Sequence, residues 1–475
     1  MAARRLGIDG LLLATGAAVA LLWPLSAYAV GPILFPAAAL AVLGFVAIAR
    51  WPVVGIALIV AAVPLTRLAF PALGGLQPLT VLLPVLAVAL FAYVLLVARR
   101  EHRLHHRGIV PAVGAFLLVA TVSALQGIDS RESLGQLAVL LSGGALLLAV
   151  LQACRERSDL LVVAVGICLA LVIASVHGLI QQSGGEFDQS SSIGGDIVGR
   201  VSGTFGHPNQ YAGFLAVLIP VAVAIALSKA FPSRMRWLAG GAVALALPAL
   251  TLSYARGAIG GLIVGSVVWL AIVRPRVAWV VVVAMIAAGV ISAPSLLKER
   301  LSDVGTSQVA LRSDLWRSAL GVYSESPVLG VGIDNFSEAY ESLPSTVEAA
   351  SQRRLLHNEQ VLVPPHANNL YLNVLAEQGL VGLCALAWLA FGAVAIAYRG
   401  SRVADPAGRA FCLGLGASLM TFAFHNLLEV TLADLFLPLL ALLAVASVFV
   451  IRDERDAGKG EKEPSQAGLR RLHSP

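Results

Sequence analysis

The stretch QPLTVLLPVLAVALFAYVLLVARREHRLHHRGIVPAVGAFLLVATVSALQ, residues 77–126, decides the fold. An apolar run over 77–98 is followed by Arg99-Arg100-Glu101-His102-Arg103-Leu104-His105-His106-Arg107, and then by a second apolar run over 109–126. About 20 mostly apolar residues suffice for a helix to cross a bilayer, so each run predicts a span. Short loops rich in Lys and Arg stay on the cytoplasmic side. Residues 99–107 are therefore an expected inner loop, and both runs take their direction from it.

The same reading extends outward along the chain. Apolar runs lie at 11–30, 32–49, 53–70, 77–98, 109–126, 134–153, 159–180, 209–227, 237–253, 257–273, 277–294, 369–398, 408–427 and 431–451. They predict an all-α, polytopic transmembrane helical bundle of about 12–14 spans. Composition agrees: 58% of the 475 residues are apolar and 13% charged, against about 25% charged in soluble domains. The mean hydropathy is +0.84.

Setting Arg4 and Arg5 inside and alternating at each run places 23 of the 33 Lys and Arg residues on the inner side and 10 on the outer. Both termini are then expected in the cytoplasm. Arg4-Arg5, an apolar run and Ala27-Tyr28-Ala29 also resemble a secretory signal; cleavage there would leave every later span oriented as before. The expected organisation is one transmembrane domain over 1–451 and a disordered cytoplasmic tail over 452–475, polar and charged. The domain includes a smaller outer loop at 181–208 and a large extracytoplasmic loop at 295–368.

Several function classes are excluded. The formal charge of +6 is carried in short clusters between apolar runs, without interleaved aromatics, so no nucleic-acid partner is expected. Cys154, Cys168, Cys384 and Cys412 show no metal or disulfide spacing, and no metal or other cofactor is expected. No metalloprotease, P-loop or serine-hydrolase pattern is present.

The residues suited to chemistry gather in the outer loops. They are Gly199 to Gln210, Ser253-Tyr254-Ala255-Arg256-Gly257, Pro364 to Tyr371, and His425-Asn426 with Glu429 and Asp434. Arg256 follows a reentry of only a few residues, so it sits at or just inside the outer membrane boundary. A charge at that depth is costly and points to function, with snorkelling to lipid headgroups as the structural alternative. Its planar fork of donors suits the oxygens of a lipid-linked phosphate.

Arg200 in a Gly/Ser-rich loop is a second candidate for substrate binding, or is simply solvated. His207-Pro208-Asn209 reads either as substrate-contacting or as a helix start, with Pro in the first turn and Asn as cap. His366 stands before a helix and suits a general base near neutral pH. Asn368 and Asn369 read as caps as readily as ligands. Glu377, on the same helix, needs a partner within the bundle. His425, Glu429 and Asp434 share a tight outer turn, as a polar network or a second wall of one site. In the long loop, Leu315, Trp316, Ala319, Leu320 and Tyr323 fall on one helical face, predicting an amphipathic helix on the membrane or over a cavity.

The order of these motifs resembles the O-antigen ligase and O-antigen polymerase superfamily of bacterial membrane proteins. The resemblance covers about residues 199–395. It rests on Gly203-Thr204-Phe205 through Pro208-Asn209 to Ala212-Gly213; on Ala255-Arg256-Gly257; on Arg312 to Trp316 leading to Ser326-Pro327-Val328-Leu329-Gly330-Val331-Gly332; and on His366 to Leu372 followed by Glu377-Gln378-Gly379-Leu380-Val381-Gly382. The chain departs from the family pattern at Ala255, where Ser is usual, and at Asn368, where the family often has a histidine.

The resemblance implies a metal-independent, GT-C-like glycosyltransferase in the bacterial cytoplasmic (inner) membrane. Such an enzyme moves a glycan from an undecaprenyl-pyrophosphate carrier to an acceptor glycan, lipid or protein on the outer face. Arg256 would hold the pyrophosphate, and the loop histidine, His366, would bind or deprotonate the acceptor hydroxyl. A polymerase that takes a second lipid-linked glycan as acceptor is the near alternative. A solute transporter is the distant one, and it should carry ionisable residues mid-span on broken helices.

Overall fold

The computed structural model describes residues 51–66, 87, 108–154, 156–185, 187, 189–193, 196–279, 306–342 and 366–460. Twelve helices and one hairpin are distinguished among them. The helices are α1 (Pro52–Ala62), α2 (Ile109–Leu125), α3 (Ser130–Ala153), α4 (Arg157–Gly184), α5 (Pro208–Leu227), α6 (Ser233–Leu252), α7 (Arg256–Val273), α8 (Thr306–Glu325), α9 (Phe336–Ser342), α10 (Leu370–Gly400), α11 (Pro406–His425) and α12 (Leu432–Gly460). A single antiparallel pair, β1 (Gln189–Ile193) and β2 (Asp196–Arg200), precedes α5, with Gln189 opposite Arg200.

The chain is an all-α polytopic membrane protein. Eight helices (α3 to α7 and α10 to α12) are long and apolar enough to cross a bilayer, and Pro52–Leu65 and Ile109–Leu125 are shorter apolar helices. These ten correspond one for one to ten expected runs. The runs at 11–30 and 32–49, and nearly all of 77–98 and 277–294, lie outside the described residues. Large apolar side chains such as Trp237, Phe391 and Leu118 are exposed on the outside of the bundle, as a lipid-facing surface requires.

The basic residues mark one end. Arg157 donates to the Ala230 carbonyl and Arg236 to that of Ala226, 3.0 Å away. Arg409 donates to the Val403 carbonyl at 3.0 Å. The first joins the start of α4 to the α5–α6 turn, and the other two close the α5–α6 and α10–α11 turns on themselves. At the same end Asp453 accepts from the Ala404 N–H at 2.8 Å. That bond anchors an extension of α12, which stays helical to Gly460, past the expected tail boundary at 451. Charged side chains such as Arg452, Asp453 and Glu454 are compatible with a helix that has left the bilayer.

Helical dihedrals fail at one point inside α10: Gly379 has φ 65° and ψ −167°. The segment Ser326–Gly332 is hydrogen-bonded into this break. Val331 and Gly332 donate to the carbonyls of Ala376 and Glu377, while Leu380 and Val381 donate to those of Pro327 and Val328, at 2.9 to 3.3 Å. The backbone groups freed by the break are thus re-satisfied by a second segment, as a low-dielectric setting demands. Glu377 has its partner here: its carboxylate accepts from the Phe336 N–H that opens α9, at 3.3 Å.

The loop helix α8 packs on protein. Its buried residues are Leu315, Ala319 and Val322, set against Phe336 and Tyr340 of α9 and against Ala367 and Ala376. The buried stripe therefore includes Val322, whereas Leu320, expected on that face, is 49% exposed.

Candidate active site

The other end of the bundle gathers the polar motifs. The end of β2, the starts of α5, α7 and α10, and the α11–α12 turn meet there, joined by a chain of side-chain hydrogen bonds. Arg200 is the first link. Its Nε donates to the Ser253 carbonyl at 3.0 Å and its Nη2 to Asn209 Oδ1 at 2.8 Å. Burial pushes the Arg200 pKa down from its ordinary value, and the nearby Glu429 carboxylate pushes it back up; a guanidinium stays protonated through such a shift.

Asn209 is the second link. Its Nδ2 donates to Glu429 Oε2 at 2.6 Å. The capping expectation for His-Pro-Asn is corrected in one respect. The N-cap of α5 is His207, whose Nδ1 accepts from the Asn209 N–H at 3.2 Å. Asn209 lies within the first turn, which frees its side chain to reach across to the α11–α12 turn.

Glu429 is the hub. Its side chain is 3% exposed, and Oε1 lies 3.5 Å from His366 Nε2. The sequence marked Glu429 as part of a polar turn but did not single it out. The available signal was a lone acid between the apolar runs 408–427 and 431–451.

His366 repeats the geometry of His207: its Nδ1 accepts from the N–H two residues on, here Asn368, at 3.3 Å. Asn368 takes a left-handed conformation, φ 51°. Asn369 then caps α10, accepting from the N–H groups of Tyr371 and Leu372 at 3.0 and 3.1 Å. Its amide donates to the Leu427 carbonyl at 3.1 Å, and Leu370 N–H donates to that of Asn426 at 2.9 Å. Asn369 thus uses its side chain to dock the start of α10 on the α11–α12 turn.

Arg256 is the first residue of α7 and is exposed. The preceding turn is tight: Tyr254 has φ 51°, an uncommon conformation for an aromatic residue. No side chain caps α7; the Arg256 and Ala258 N–H groups donate instead to the carbonyls of Tyr254 and Ala255, at 3.1 Å each. Gly257 packs beside Leu428, which places Arg256 next to the turn that carries Glu429.

His425 is placed differently from the expectation. It is 2% exposed, and a methyl on Gly213 of α5 would fall 2.6 Å from its Nε2. The glycines of α5 and α7 let the end of α11 approach closely, and the imidazole fills that space instead of lining an opening. Among the described residues, no group of three or more His, Cys, Asp or Glu is placed to hold a metal ion.

Residues 241–387 match the family model described as O-antigen ligase. This stretch is an O-antigen ligase domain. The match supports the resemblance to the O-antigen ligase superfamily that the motif order implied. It is a membrane enzyme of polysaccharide assembly. No curated protein matches the chain. The ligase domain contains Arg256, His366, Asn369 and the broken helix, whereas Arg200, His207, Asn209, His425 and Glu429 lie outside the matched residues.

Proposed function

We propose that the protein is a GT-C-type glycosyltransferase, metal-independent, that moves a glycan from an undecaprenyl-pyrophosphate carrier to an acceptor on the outer face of the bacterial cytoplasmic membrane. The observation that carries this reading is Arg256: an exposed guanidinium at an uncapped helix start, beside the Arg200–Asn209–Glu429–His366 network. An exposed guanidinium offers a fork of donors that suits the oxygens of a pyrophosphate. Negative charge grows on the leaving pyrophosphate as the glycosidic bond breaks, so a fixed cation is worth more in the transition state than in the ground state.

In the proposed step the acceptor oxygen bonds to the anomeric carbon. The C–O bond to pyrophosphate breaks with its electron pair going to the pyrophosphate, and the acceptor proton passes to His366. The clustering of basic residues at the opposite end of the bundle supports an outward-facing site. A broken helix with a buried acid is also a feature of transporters. Here the break at Gly379 is filled by Ser326–Gly332 and Glu377 is taken up by α9, which favours an enzyme scaffold over an open pathway.

The test is Arg256→Ala, measured as glycan transfer in membranes that carry the native donor and acceptor. An exposed side chain contributes little to stability, so the protein should insert at normal levels. Removing a charge-assisted contact worth about 1.5–3 kcal/mol should cost on the order of 10- to 150-fold in turnover. Undiminished transfer by Arg256→Ala would refute the mechanism.

A further inference from the structure

We infer that Glu429 is a positioning residue for His366, fixing the imidazole in the tautomer that leaves Nδ1 free to take the acceptor proton. The inference rests on the glycosyl-transfer reading above. Two contacts agree on that tautomer. The Asn368 N–H points at Nδ1, at 3.3 Å, so Nδ1 carries no proton. The remaining nitrogen, Nε2, then bears the hydrogen, and it faces Glu429 Oε1 at 3.5 Å. A neutral imidazole has one donor and one acceptor nitrogen, and here each meets its complement.

The carboxylate is itself held. Asn209 Nδ2 donates to Oε2 at 2.6 Å and the Val430 N–H to Oε1 at 3.2 Å. Asn209 is fixed in turn by Arg200. Glu429 is almost fully buried, so substrate does not reach it; it acts through His366. The local bond from Asn368 is weak in length and spans only two residues. An acceptor hydroxyl can therefore displace it, lose its proton to Nδ1 and bond to the anomeric carbon, while the imidazolium that forms is paired with the carboxylate behind it. The arrangement follows the logic of a nucleophile, a base and an orienting acid. Three chain segments far apart in sequence build it, around residues 200–209, 366–368 and 429.

The test compares His366→Ala, Glu429→Gln, Glu429→Asp and the double variant His366→Ala/Glu429→Gln. Glycan transfer is measured against pH in membranes with native donor and acceptor. Binding of undecaprenyl pyrophosphate to the purified protein is measured in parallel. General-base catalysis is worth about 10²–10⁴-fold, so His366→Ala should lose turnover in that range. Glu429→Gln should lose at least about tenfold while binding undecaprenyl pyrophosphate as before, and the double variant should be no slower than His366→Ala. The pH profile of Glu429→Gln should differ from that of the wild type, because a neutral amide then faces the imidazole in place of the carboxylate. The elements meeting here also bring Arg200, His207, Arg256, His425 and Asp434, none of which is altered in these variants.

Glu429→Asp keeps the charge one methylene further back, and should keep the wild-type pH profile at reduced turnover. If Glu429→Gln does not accumulate, Glu429→Asp decides, and full turnover there overturns the inference. Normal turnover and an unchanged profile in Glu429→Gln, with His366→Ala impaired, overturn the role of Glu429 and leave the glycosyl-transfer reading standing. Normal turnover in His366→Ala removes the base itself.

Discussion

Replacing Gly379 by Ala probes the break in α10. With φ 65° and ψ −167° the position lies where L-residues are strained, a cost of about 1–3 kcal/mol. The new methyl would also overlap the Val328 carbonyl, so Ser326–Gly332 must withdraw. Withdrawal breaks first the two bonds that Leu380 and Val381 donate to it, at about 1 kcal/mol each. Together these come to about 4 kcal/mol, or on the order of 10³ in a local opening equilibrium. Hydrogen exchange of the purified protein in detergent should show the change. Peptides covering 326–332 and 377–382 should exchange about 10³ times faster in Gly379→Ala, while those in α3 and α12 keep their rates. Gly330→Ala meets the same interface from the other side, since Gly330 has φ 72° and lies against the Glu377 carbonyl. The two substitutions should not add, because either one already undocks the segment. Wild-type exchange in Gly379→Ala would refute the view that these four bonds close the break.

Three further outcomes are expected. Arg256→Lys keeps the charge but loses the bidentate fork, so glycan transfer should fall between that of wild type and of Arg256→Ala. Asn369→Ala removes the cap of α10, at a cost of about 1 kcal/mol; thermal unfolding in detergent should show a lowered midpoint, with full stability arguing against the cap. Cysteines placed at Ser192 and at Ser345 should react with a membrane-impermeant thiol reagent in cells whose outer barrier is open, whereas one at Gly108 should react only after lysis; the reverse pattern would overturn the orientation.

Much of the site was legible before folding. Arg256 stood out because a charge beside a short reentry has few cheap explanations, and His366, Asn369 and Arg200 because polar residues are scarce in a chain with 13% charge. What the sequence left open was which of them touch. His207 and His366 look equally available, and only their neighbours distinguish them: His207 caps α5, whereas the Nε2 of His366 faces a buried carboxylate. His425 looked like a wall of the site and proves to be a wedge between α5, α7 and α11, a role set by glycines 164 or more residues up the chain.

The sequence by itself determined that this chain spans a membrane many times and where its helices lie. Those properties follow from local apolar length: the ten described runs are helical, and eight of them are long and apolar enough to cross a bilayer. Tertiary structure alone decided the rest. The break in α10 depends on a segment nearly 50 residues away, because a freed backbone group in an apolar bundle must find a partner wherever the chain can supply one. Glu429 became the centre of the site for the same reason. A buried carboxylate has to be met by donors, and the fold brought Asn209 and His366 to it from 220 and 63 residues away.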